Sequence, residues 1–393
     1  MKSEQRSYEN FAAVPSTVFR LMGYNVLDAP DETRTRRLVM WIYRWICTSS
    51  HVVCVAFMIF RMLEMTTIDS VSLIIRYATL VTYVINSDTK HATAMQRDSI
   101  QSLNRKLADL YPKSALQRAY YRVNEHYWSR SFLAMIFFYI GSSIMVVIGP
   151  ILQSILAYFT QQQFTYQHCY PYFIYNPEQQ PIWIYVGIYA LEWLHSTHMV
   201  VSNIATDLWL LCFQVQICMH FSCMIRSLED YQPNLTHERD DKHFLAQMVN
   251  KHEYLVLLQN DLNGIFGGSL LLSLITTAAV LCTVSVYVLI QGLNLEGITY
   301  VVFIGTSCMQ LFLVCNHGQQ VLDLSADIGH AAYNHNWHNA SIAYKKYLLI
   351  IIIRAQKPVE LSAMGYMPIS RDTFKQMMSV TYRGLAMIRQ MIE

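Results

Sequence analysis

Two stretches of this chain, residues 265–293 and 298–322, contain no Asp, Glu, Lys or Arg. Each exceeds the roughly 20 apolar residues that a helix needs to cross a bilayer. In hydrocarbon every backbone polar group must find its partner inside the segment, so such runs fold as helices. Composition points the same way. Only 14% of the 393 residues are charged and 53% are hydrophobic, where a soluble domain carries about 25% charged residues. A net charge of +2 is no footprint for nucleic acid. With 26 Tyr, 17 Phe and 7 Trp, the chain is too aromatic for disorder. A polytopic membrane protein remains.

Five further segments bring the count to seven. They are 41–60, a short second segment at 71–85 interrupted by Arg76, 132–152, a long one at 182–225 with Glu192 and Asp207 inside, and the C-terminal 373–392. The long one is more than twice a bilayer thickness, so a helix projecting beyond the membrane is expected. The first, second and seventh are too polar to face lipid all round. No signal peptide is expected: the first 37 residues hold six basic side chains and no apolar core.

Basic residues set the orientation. They crowd into residues 1–40, into the segment after span two (Lys90 to Arg130), after span four (Arg226, Arg239, Lys242, Lys251) and after span six (Lys345, Lys346, Arg354, Lys357, Arg371). Residues 149–181 and 291–297 contain none. The N-terminus is therefore expected in the cytosol and the C-terminus outside. Asn234-Leu235-Thr236 and Asn339-Ala340-Ser341 then fall inside and are read as chance glycosylation matches. Of nine cysteines only Cys169 lies in an outer loop, so no outer disulfide is expected within one chain.

Ile100, Leu103, Leu107 and Leu110 recur at helical spacing, as do Phe244, Met248, His252, Leu255 and Leu258. With residues 331–354 these are expected to form a cytosolic helical bundle. The outer loop, 153–181, is rich in Gln, Tyr and Pro and suits a cap over a vestibule.

Several motifs resemble those of insect odorant receptors. His168-Cys169-Tyr170-Pro171 with Ile174-Tyr175-Asn176-Pro177 is similar to the family's second outer loop, and Lys90 falls where the family often has a lysine in span two. The C-terminal block is the most specific: Ala332-Tyr333, Trp337, Lys345, Arg354-Ala355-Gln356-Lys357-Pro358-Val359, Thr373-Phe374, then Ser379-Val380-Thr381-Tyr382. In the family a Gln-Lys-Pro turn splits the last helix. The resemblance covers essentially the whole chain. Arg383, Gly384 and Arg389 depart from the ending of the related gustatory receptors, and the co-receptor's long cytosolic insertion is absent. The chain therefore resembles a ligand-tuning subunit.

The resemblance implies an all-α integral membrane fold forming one domain over residues 1–393. Spans one to six with an outer ligand pocket occupy 41–325, a cytosolic anchor 326–358, and a pore-lining helix 371–393. It also implies a hetero-tetramer with the odorant co-receptor, acting in lipid as a cation channel opened by a small volatile in olfactory neurons. On a helix, Phe374, Met378, Thr381, Leu385, Ile388 and Ile392 share one face, with Arg389 at its edge. The pore set is Met378, Thr381, Leu385, Ile388 and Arg389, and the family's gate lands on Leu385 and Arg389. Lys375, Ser379, Arg383 and Gln390 lie opposite, a polar stripe too costly for a lipid-facing helix. Arg389 has two open readings, facing the pore or snorkelling to headgroups.

The family's pocket lies between spans two, three, four and six. Its candidates here are Ile74 and Tyr77; Ser142, Met145, Val146 and Gly149; Tyr189 and Trp193, in line with Tyr185; and Tyr300 and Phe303. Such walls suit a neutral apolar or heteroaromatic volatile; packing and interfacial belts are the plainer use of the same aromatics. Arg76 is a possible partner for Glu192. His330, His335 and His338 lack the carboxylates or cysteines of a metal site, so no metal, cofactor or catalytic residue is expected. The alternatives are a gustatory-type receptor channel and a G-protein-coupled seven-helix receptor. The latter needs the opposite orientation and an outer disulfide.

Overall fold

The computed structural model describes residues 7–23, 34–64, 71–126, 129–161, 167–170, 181–233, 238–292 and 295–392. The chain is helical almost throughout. In order come α1 (Tyr8–Leu21), α2 (Arg34–Glu64), α3 (Val71–Met95), α4 (Arg97–Leu110), α5 (Ala115–Tyr120), α6 (Val123–His126), α7 (Ser129–Gln161), α8 (Ile182–Asp230), α9 (Glu238–Gln291), α10 (Leu295–Asn334), α11 (Ile342–Ala355) and α12 (Arg371–Ile392). A two-stranded hairpin, β1 (Ser362–Ala363) and β2 (Met367–Pro368), stands between α11 and α12.

At 1.5 Å per residue, the 49 residues of α8 reach about 74 Å, far beyond the ~30 Å of a hydrocarbon core. From Ser202 to Phe221 every residue of α8 is buried, as suits a helix apolar on all sides. It is the axis around which the rest packs. Its main cluster joins Phe11 and Phe19 of α1, Ile100, Leu103 and Leu107 of α4, Leu255, Leu258 and Phe266 of α9, and Tyr344 and Leu348 of α11. The helical spacing seen in the sequence is thus the buried face of a bundle. We call this the anchor end, and the opposite end, where residues 167–170 lie, the loop end. The apolar pattern over 244–258 and the charge-free run over 265–293 belong to one helix, α9, of 54 residues.

Five helices, α2, α7, α8, α9 and α10, are long and apolar enough to cross a membrane among the described residues. α3 and α12 fall short of that measure, in line with their polar residues. α2 presents Leu38, Trp41, Trp45, Phe57 and Phe60 outward and turns Ser50 and His51 inward, so these two polar side chains are hidden from lipid. Asn234-Leu235-Thr236 lies outside the described residues.

The chain between α11 and α12 is held by two close approaches. Gly365 takes φ +74° at the hairpin turn, which glycine adopts without strain. A Cβ on Gly267 of α9 would stand 3.0 Å from the Met364 nitrogen, and one on Gly318 of α10 would overlap the Ile369 carbonyl oxygen. Both glycines let the hairpin sit against the bundle and fix where α12 begins.

Candidate functional site

A second, smaller apolar cluster occupies the loop end. Cys54 and Met58 come from α2, Tyr77, Leu80 and Val84 from α3, Met199 from α8 and Tyr170 from the loop, with Val146 of α7 packed against them. The loop segment is stitched down by polar contacts. The Cys169 N–H donates to Glu192 Oε2 at 3.0 Å, the Tyr185 hydroxyl to the Gln167 carbonyl at 2.9 Å, and Tyr170 shares a 2.5 Å hydrogen bond with Ser196. Glu192 is fully buried, with His168 Nδ1 3.6 Å from its carboxylate. These loop neighbours take the place expected for Arg76. Residues 171–180, including Pro171 and Ile174-Tyr175-Asn176-Pro177, lie outside the described residues.

The structure sorts the expected ligand residues. Tyr77 is in the small cluster and Val146 lines it. Phe303 of α10 reaches it through Tyr83, ring centroids 5.1 Å apart. Ser142 is buried and donates to the Tyr139 carbonyl; Gly149 of α7 lies beside Thr299 of α10. Tyr189 donates its hydroxyl to the Val147 carbonyl, and Tyr300 packs on Tyr287 at 4.5 Å. Trp193 points away, 59% exposed, and Ile74 and Met145 also lie on the outer surface. The reason is helical drift. Four residues turn a helix by about 400°, so an i, i+4, i+8 row rotates about 40° per step. Tyr185 is buried, Tyr189 half-buried and Trp193 exposed. At this depth Glu192, His195, Ser196 and Met199 form the inward face of α8 instead.

Beneath this cluster lies a polar layer that sequence patterning did not assemble. Lys90, counted there with the segment after span two, lies within α3 and is 2% exposed. Its ammonium sits 2.8 Å from Asp207 Oδ2, which also accepts from the Tyr139 hydroxyl at 3.1 Å. Asn86 donates to Asn203 and accepts from Ser273; Thr206 donates to the Lys90 carbonyl. The signal was present: an intramembrane acid implies a partner, and both residues stood out singly. Asp207 also borders a small cleft that extends past Ser273, Thr277 and Gln310 to Ile369, just before α12.

α12 divides the residues expected to line the pore between a packed and an exposed face. Thr381 is only 7% exposed and, with Phe374, Met377 and Gly384, turns toward the bundle. The Phe374 ring meets Phe312 of α10 at 5.6 Å, and a Cβ on Gly384 would touch Cys282 of α9 at 3.9 Å. Apolar side chains on this face are used for packing, which is why Thr381 is unavailable to solvent. The side chain of Ile388 lies outside the described residues. Lys375, Ser379, Tyr382, Arg383, Arg389 and Gln390 are exposed, with Met378 and Leu385 half-buried at the border.

At the anchor end, His335 is a packing residue. Its Nδ1 lies 2.8 Å from the Ala332 carbonyl and its Nε2 3.0 Å from the Tyr344 hydroxyl. Burial pushes its pKa down by disfavouring the charged ring.

Helices longer than a bilayer is thick, with a small loop-capped cluster at one end, define an all-α membrane protein. Residues 69–382 match the family model described as 7tm Odorant receptor. The chain is 66% identical over 393 residues to Odorant receptor 85f of Drosophila melanogaster, covering 100% of both, and 33% identical to Odorant receptor 49a of the same species, covering 99% of both. It belongs to the odorant receptor family, as a ligand-tuning member rather than the co-receptor. Its fold is similar to that of the insect olfactory receptor OR5 from Machilis hrabei, with TM-score 0.79, 14% identity and 98% of each chain covered. A second structure of that receptor, in complex with eugenol, gives TM-score 0.77 at 13% identity with the same coverage.

Proposed function

We propose that the chain is the odorant-binding subunit of a heteromeric, ligand-gated cation channel in the plasma membrane of olfactory neuron dendrites. The observation that carries the proposal is the small cluster of Tyr77, Tyr170, Met199 and Val146, separate from the main core and closed by residues 167–170. Its apolar and aromatic side chains, with a few hydroxyls among them, suit contact with a small neutral volatile. The eugenol complex of the similarly folded OR5 supports a small aromatic ligand. Ser142, Gly149, Tyr189, Tyr300 and Phe303 form the wider lining, and Trp193, Ile74 and Met145 lie outside it. The lack of Lys and Arg in 149–181 supports an outward-facing loop end.

The exposed edge of α12, with Met378, Leu385 and Arg389 spaced i, i+7, i+11 on one line, lines the pore. Leu385 suits a dewetting constriction. Arg383 and Arg389 repeated around four identical subunits would repel cations, so a hetero-tetramer with the co-receptor fits better. Receptor rather than enzyme chemistry follows. Ligand binding opens the pore by favouring the open state through differential affinity.

The test is electrical. Cells expressing the chain with the co-receptor are given volatiles under G-protein block. An odorant-evoked cation current is expected, and its absence across a broad panel sinks the channel reading. Tyr77→Ala should raise the half-effective concentration while Trp193→Ala leaves it unchanged.

A further inference from the structure

α2, α3 and α8 meet at four histidines that neither the ligand cluster nor the pore uses. His51 of α2 and His195 of α8 face each other with their Nδ1 atoms 3.1 Å apart and their rings stacked at 4.8 Å. His198, one turn along α8, lies 4.7 Å from the His51 ring and 4.8 Å from that of His91 on α3. His51 Nε2 reaches Asp88 Oδ1 at 2.8 Å, and His91 Nδ1 lies 3.3 Å from Ser202 Oγ. His51 and His195 are buried, whereas the Asp88 side chain is half exposed.

The charged and titratable surroundings are few. α2 supplies Arg44, Tyr43 and Cys47, which with His198 and Met22 border a small surface cleft. The half-exposed Asp88 carboxylate, in contact with His51, gives solvent protons a route to the cluster. α3 supplies Asp88; its Lys90 turns away to Asp207. α8 supplies Glu192, one turn from His195 and already held by the Cys169 N–H. The loop supplies Tyr170, edge-on to His195 at 5.2 Å.

The chemistry of the central contact is restrictive. In a bond between two imidazole nitrogens one donates and the other accepts. Once both rings are protonated, both Nδ1 atoms carry hydrogen and the bond becomes a contact between like charges. Asp88 offsets one positive charge, and Arg44 adds another nearby. The arrangement seen here therefore requires a largely neutral chain. Its loss separates α2 from α8 directly under Tyr170, a member of the ligand cluster.

We propose that His51, His91, His195 and His198 form a proton sensor that lowers odorant affinity on acidification by releasing α2 from α8. The direction of the effect rests on the loop-end cluster being the ligand site. Half-effective odorant concentration is measured for the co-expressed pair at pH 7.4 and pH 6.0 on both membrane faces. A rise of at least about fivefold is expected, an ordinary size for coupled sites. The double variant His51→Gln with His195→Gln, which keeps donors and acceptors but cannot charge, should respond at pH 7.4 and show no shift. Asp88→Asn, at a half-exposed position, removes the charge that stabilises protonated His51 and should move the midpoint to lower pH. It provides the reading if the double variant fails to reach the surface. A wild-type receptor without a shift, or a shift kept in both variants, overturns the sensor. So does an equal shift when the same co-receptor is paired with another tuning subunit. Tyr77→Ala at pH 7.4 tests the ligand site separately: no change there rejects that site, while a pH shift erased by the glutamines still supports the sensor.

Discussion

At the anchor end, α8 is buried all round and meets α1, α4, α9 and α11 through aliphatic and aromatic side chains. At the loop end the same helix turns only one face inward, and that face carries Glu192, His195 and Ser196. One region is held by apolar area, whose stabilisation is large and undirected. The other is held by a small cluster and directed hydrogen bonds from a loop, each with a modest net contribution. The contrast teaches where change is tolerated: the anchor end gives a fixed reference, and the loop end can rearrange around a ligand at low cost.

The largest effect should come from the layer joining the two. Lys90→Ala leaves Asp207 buried without its cation and should destabilise the fold by about 3–5 kcal/mol, seen as loss of surface protein. Lys90→Met combined with Asp207→Leu should restore much of it; no recovery would show that the pair also serves gating. Leu258→Ala, at the anchor end, should cost about 2–5 kcal/mol in thermal unfolding while the half-effective odorant concentration of the surviving receptors stays constant. Tyr170→Phe should do the reverse. Losing the hydroxyl bond to Ser196 is worth about 0.5–1.5 kcal/mol, and it should appear as altered odorant sensitivity with little change in surface level.

A smaller effect tests the anchor end by pH. The lowered pKa of His335 means that the unfolded chain binds the proton more readily. Its contribution is intact above the unfolded value of about 6.5 and fades as pH falls below it. His335→Gln should flatten the pH dependence of melting in that window. Last, Trp193→Ala should lie within about 0.5 kcal/mol and leave sensitivity unchanged. A clear loss of response would move the ligand site to the outer surface of α8 and erase the contrast.

Much of the helical frame was legible, because charge-free runs and 3.6-residue spacing are local signals. The continuity of α9 was not: the spacing over 244–258 and the charge-free run over 265–293 were separate signals, whereas one helix runs through both. Lys90 and Asp207 were each conspicuous, but they are 117 residues apart and periodicity carries no pairing information. Tyr77 and Val146, which the structure packs in one small cluster, stood out in the sequence only through the resemblance to a family. Trp193 stands on the outer surface because a row of aromatics over about two turns drifts off its face. The burial of Thr381 on α12 was not legible, because an apolar face can pack on a neighbour as readily as it can line a pore.

The seating of Ile369 against Gly318 has a mechanical consequence. The start of α12 is pinned by backbone on backbone, while its 22 residues extend about 33 Å from that point. The helix is thus a lever with a pivot at its root. A tilt of about 5° displaces the far end, near Arg389, by roughly 3 Å and moves Lys375 by only a fraction of an ångström. A side chain at position 318 would loosen the pivot, and the motion would be spent at the root instead of the tip.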